Sequence, residues 1–169
     1  MRLFTQVLFF SFISLISLPS VARFATPEKI MQQVQERGVN AVVAELSEER
    51  EWSNITHNIS TGDSQWVQIA FKLSQNIHPN ASKQIIDALS LALVNNPVEV
   101  LELTNKHRAF SFADICNIPP TITGKSQKRA FFKSAMDSLK AADQSKQGKN
   151  RDNIETCRWE IEKAASVYF

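Results

Sequence analysis

Apolar residues recur along most of this chain at intervals of three and four, and no segment sustains an alternation of apolar and polar positions. The first spacing belongs to one face of a helix and the second to a strand, so the pattern predicts an all-helical fold. Thr26 before Pro27 and Glu28 reads as a helix start. The hydroxyl can accept a first-turn N–H, and proline occupies a position that needs no donor. Ile30, Met31 and Val34 form the stripe of this helix until Gly38 interrupts it. Val42, Val43 and Leu46 then continue on one side. Ser47 ahead of Glu48 and Glu49 caps a third segment, in which Trp52, Ile55 and Ile59 fall at helical spacing. Thr61, Gly62 and Asp63 make a turn that ends in a cap, followed by Trp66, Ile69, Ala70 and Leu73. His78 and Pro79 close that unit.

Residues 80–94 carry Ile85, Ile86, Leu89 and Leu93, the most apolar pattern after the N-terminal segment, and are expected at the centre of the core. Asn95, Asn96 and Pro97 break this helix, and Asn96 with Pro97 starts another containing Val98, Val100, Leu101 and Leu103. Ser111 caps one more turn up to Cys116. Pro119 and Pro120 force an extended passage, because each proline disfavours helix in the residue before it. Residues 126–142 form a long amphipathic helix with Phe131, Phe132, Ala135, Met136 and Leu139. A polar linker over 143–149 precedes a last helix with Ile154, Cys157, Ile161 and Ala164. Helix pairs joined by short turns suggest stacked hairpins over 52–103, somewhat like HEAT-type packing. No repeat of fixed period is found in the sequence. The expected architecture is therefore an irregular multi-helix bundle of short helical hairpins.

The front end departs from this pattern. After Arg2, residues 7–18 run without a charge, too short a stretch to span a bilayer, which needs roughly twenty apolar residues. Pro19 ends the run, and Ser20 and Ala22 place small residues three and one before a cut. Residues 1–22 therefore read as a cleavable signal peptide and 23–169 as a single all-helical domain, periplasmic or secreted, with no stable membrane anchor once the signal is removed. Export would place Cys116 and Cys157 in an oxidising compartment, where an isolated pair forms a disulfide. The spacing excludes a redox CxxC motif.

Charge and chemistry add little. The net charge is +2, acidic early (Glu45, Glu48, Glu49, Glu51) and basic late (Lys125, Lys128, Arg129, Lys133, Lys140). The late cations interleave with apolar residues and read as a solvated helix face, so no nucleic-acid partner is expected. His57, His78 and His107 lack partners at metal spacing. Glu48 with Glu51, and Glu99 with Glu102, read as charged first turns or solvent faces rather than an acid–base dyad. No nucleophile elbow, phosphate loop or zinc cluster occurs. The sequence thus predicts no catalytic residue, no metal and no cofactor, and shifts weight from enzyme to binding protein. Three glycan acceptor patterns, at Asn54, Asn58 and Asn80, are close to the number chance supplies. Trp52 and Trp66, both at core spacing, are candidate interface residues together with Lys125, Lys128 and Arg129.

Through Trp52, Gly62-Asp63, Trp66, the Ala88-Leu89 helix, Asn96-Pro97 and the stretch from Cys116 to Pro119, the chain resembles uncharacterised small exported all-helical proteins of Gram-negative bacteria. In general build it is also similar to periplasmic immunity proteins that neutralise toxins from rival cells. That likeness implies a helical module that docks another exported protein, of immunity or inhibitor type. The alternative expectation is a carrier of a small apolar ligand held between helices.

Overall fold

A computed structural model describes residues 26–46, 49–74, 79–145 and 150–169. Among these, the elements are α1 (Pro27–Arg37), α2 (Val39–Leu46), α3 (Glu49–Ser60), α4 (Ser64–Leu73), α5 (Pro79–Ala92), α6 (Pro97–His107), α7 (Phe112–Ile115), α8 (Lys125–Ser145) and α9 (Arg151–Ala165), with no strand. Helix starts fall where capping chemistry puts them. Thr26 Oγ1 accepts from the Lys29 N–H at 3.4 Å. Asp63 Oδ1 accepts from Gln65 and Trp66 at 3.0 and 3.2 Å, and Asn96 Oδ1 accepts from Glu99 at 3.4 Å. At α7, Ser111 and Asp114 cap each other's backbone N–H at 3.1 and 2.9 Å. Each bond satisfies a donor that the first turn would otherwise leave open.

Two of these caps organise the molecule. The Asn96 side-chain amide donates to the Gly62 carbonyl at 2.9 Å. Further along, Gln68 Nε2 donates to Glu99 Oε1 at 2.9 Å, and the rings of Phe71 and His107 stack at 5.7 Å. These rungs, in the same order on both helices, set α4 and α6 side by side and parallel. Helix α3 packs along α5 in the same sense, with the turn after α3 against the end of α5. The α3/α4 hairpin therefore stacks on the α5/α6 hairpin.

Asp63 and Asn96 stand 33 positions apart. The same offset pairs Trp52 with Ile85, Ile55 with Ala88, Ile59 with Ala92 and Val67 with Val100, all buried. A two-copy structural repeat is thus present where no sequence repeat was visible. Three of these four pairs differ in size, from tryptophan to isoleucine and from isoleucine to alanine, and in the second helices burial diverges too, with Ile69 and Leu73 buried where Glu102 and Lys106 are exposed. Gly62 lets the copies meet. Its φ is +78°, and a Cβ there would lie 2.9 Å from Asn95 Cβ and 3.2 Å from the Ala92 carbonyl.

The repeat stops at two copies. Helices α1 and α2 pack on one side of it, chiefly against α4, while α7, α8 and α9 cover the other side through α5 and α6. Ile85 and Leu89 of α5, and Leu93 just after it, are fully buried in the middle of this series, as their pattern predicts. Ile86 is only half-buried and lines a surface cleft. Helix α8 runs three residues beyond the predicted end at 142, taking Asp143 into the helix. In α9 the inner position falls to Ala165, and Ala164 sits at the border.

The predicted cysteine pair is formed. Cys116, at the end of α7, is bonded to Cys157 in α9 with a Cα–Cα distance of 5.2 Å, and both are fully buried. The expected signal segment 1–22, and with it the domain start at 23, lies outside the described residues. Among the described residues no helix is long and apolar enough to cross a membrane.

Candidate functional site

Side-by-side packing of two parallel helices leaves a furrow between them. Along α4 and α6 it widens into a groove of about 690 Å³. Ser64, Gln68 and Lys72 line it from α4 at successive four-residue steps. Asn96, the cap of α6, and Val98, Glu99, Glu102, Leu103, Lys106 and His107 of α6 line the other side, with Met31 contributed by α1. The parallel register separates the charges. Glu99 lies beside Gln68 near the helix starts, while Lys106 and His107 lie toward the ends, where His107 stacks on Phe71. A ligand lying along this groove meets a carboxylate first and cations last.

The opposite face carries a smaller cleft of about 330 Å³ between α3 and α5, lined by Ser53, Thr56, His57, Ser60, Asp87 and Thr121 among others. A histidine, a carboxylate and hydroxyls therefore share one concavity. They are not wired as a relay. Thr56 Oγ1 donates to the Trp52 carbonyl at 3.1 Å and Ser60 Oγ to the His57 carbonyl at 2.6 Å. No hydrogen bond or ion pair joins His57 to Asp87 among the described residues. A nucleophile needs a base within hydrogen-bond reach, and the Thr56 and Ser60 protons are held by their own helix. Burial holds the Asp87 carboxyl above the usual aspartate range.

Asp87 also borders a third cleft, of about 350 Å³, between α5 and the double proline. Ile86, Ile118, Pro119 and Pro120 supply its apolar lining and Lys83, Ser90, Asp114 and Asn117 the polar part. Ser90 is itself buried, with its hydroxyl donating to the Ile86 carbonyl at 3.0 Å.

The sequence-predicted interface residues do not converge. Trp52 is buried in α3, and its indole N–H finds no acceptor among the described residues. Trp66 is half-buried on α4. Lys125, Lys128 and Arg129 occupy the first turns of α8 at the far side of the stack. There Lys128 Nζ stands 3.6 Å above the Tyr168 ring and the Arg129 guanidinium 5.2 Å from the Phe169 ring. Tyr168 and Phe169 were not singled out in the sequence, because they follow the last helical stripe. Their signal is an apolar run, Val167 to Phe169, with no helix face to bury it.

His57 and His107 line different grooves, and His78 lies outside the described residues. Glu99 and Glu102 share the α4/α6 groove, whereas Glu48 is outside the described residues. Asn54, Asn58 and Asn80 all sit within helices. No cluster of three or more His, Cys, Asp or Glu side chains that could hold a metal occurs among the described residues. Comparison with protein families, with curated proteins and with solved structures finds no match to this chain.

Proposed function

We propose that this protein is an exported binding module that docks another exported protein, with inhibition of an enzyme as one concrete form. The observation that carries this reading is the α4/α6 groove. It is open, about 690 Å³, and lined by both signs of charge at fixed register on two helices that brace each other. Such a surface suits an extended polypeptide segment that presents a cation near Glu99 and a carboxylate near Lys106. Rigid parallel helices reduce the ordering entropy lost on binding. The buried disulfide fits an oxidising compartment.

A photo-crosslinking residue at Gln68 should capture one discrete partner in producing cells. The double variant Lys72→Glu, Lys106→Glu should abolish that product while keeping the fold. If Gln68 captures nothing and small apolar compounds raise the melting temperature, the docking reading is lost. The carrier reading then takes over, and the cleft at Ile118, Pro119 and Pro120 is where its ligand would sit. At about 350 Å³ that cleft is near the lower bound for small-molecule sites, roughly 300 Å³.

A further inference from the structure

We propose that the start of α8 and the segment after α9 form one basic, aromatic surface that docks reversibly on an anionic lipid membrane. Residues 115–136 contain Lys125, Lys128, Arg129 and Lys133 and no carboxylate. All four cations fall within the first nine residues of α8, and two of them, Lys125 and Lys128, in its first turn, where the helix dipole is positive and disfavours them. Among the described residues only Lys133 of these four has an ion-pair partner, Asp137, at 2.7 Å. Lys128 and Arg129 are held over the rings of Tyr168 and Phe169 instead, and Phe132 meets Phe169 edge-on at 6.3 Å. The rings remain open to solvent, Tyr168 at 39% and Phe169 at 45%, with Val167 beside them at 79%.

Cations gathered at a helix start, with no carboxylate in the surrounding stretch 115–136, mark a site whose complement lies outside the chain. The composition of the patch, clustered cations beside exposed rings, selects the complement. A lipid surface needs only a few rings at the headgroup level and nearby Lys or Arg to meet phosphates. Each cation strengthens binding to an anionic bilayer about fivefold.

The test is co-sedimentation of the full chain with vesicles of equal phosphatidylglycerol and phosphatidylcholine, against vesicles of phosphatidylcholine alone. The apolar stretch at 7–18 is present in every arm, so its own affinity cancels between variants. The unmodified chain should bind the anionic vesicles at least tenfold more tightly, and salt should weaken that binding. Lys128→Ala with Arg129→Ala should lower affinity about 25-fold, whereas Lys29→Ala with Arg151→Ala, the same change of charge elsewhere, should leave it within about twofold. Tyr168→Ser with Phe169→Ser should lower it more than tenfold with unchanged far-ultraviolet circular dichroism. If that variant misfolds, the Lys128 and Arg129 arm decides. Equal binding to neutral vesicles, or equal loss in the two charge variants, overturns the proposal. Retention on poly-glutamate without vesicle binding also overturns it, in favour of an acidic protein partner.

Discussion

At the scale of single residues, the stacking turn is the most sensitive point. Gly62→Ala would place a β-carbon in the left-handed region and against Asn95, so a loss of about 2 kcal/mol is expected in urea unfolding. Gly38→Ala provides the contrast. Nothing lies within 4 Å there, so the cost should be backbone strain alone, about 1–3 kcal/mol, because φ +83° with ψ 157° is a conformation essentially reserved to glycine. Asp63→Ala should cost about 1 kcal/mol for the lost cap. Asn96→Ala should cost more, because it also removes the bond to the Gly62 carbonyl. Asp87 carries a pH signature. Burial raises its folded pKa, so its contribution to stability is complete below the ordinary aspartate range and is lost as pH rises through the raised value. Asp87→Asn should therefore stabilise the protein at pH 7 and leave it unchanged at pH 3, a difference that paired urea titrations would resolve. The caps were legible in the sequence because capping is local. The contrast between Trp52, buried, and Trp66, half-buried, was not, since a helical stripe gives the direction of the core but not its width.

At the scale of elements, the last helix depends on a bond as well as on packing. The disulfide closes a span of 41 residues, which the chain-entropy model values at about 4 kcal/mol. Removing it should lower the melting temperature by roughly 8–15 °C. Thiol labelling of the unreduced, denatured protein should find no free thiol, and two labels per chain would refute the bond. The helical period, with the Ser111 cap for α7, located every element from α1 to α9, and it placed Cys157 on the buried face of its helix beside Ile154 and Ile161. It erred at the end of α8, where Asp143 continues the helix despite the polar composition, because exposed helical positions need no apolar residue. It also missed what Tyr168 and Phe169 do. Their partners, Lys128 and Arg129, lie some forty residues earlier, and only the antiparallel return of α9 along α8 brings them together.

At the scale of the whole molecule, helices pack mainly on near neighbours in the chain, from the α1/α2 layer through the two stacked hairpins to α9. Such a series opens from its ends. The α1/α2 end is held without a covalent tie, whereas the other end is bolted through Cys116 and Cys157. Amide exchange should therefore be fastest in α1 and α2 and slowest in α5 and α6, and reduction should speed α9 without reaching α3. The grooves were invisible in the sequence, because each needs two helices whose register comes from the stacking of hairpins and from no local pattern. The position of the bond also carries a timetable. Synthesis delivers α1 to α6 before Cys116, and Cys116 well before Cys157. The stacked hairpins can therefore assemble while no covalent closure is available. The native bond therefore reports on the last step of the series, since it distinguishes chains whose last helix has docked from chains whose last helix has not.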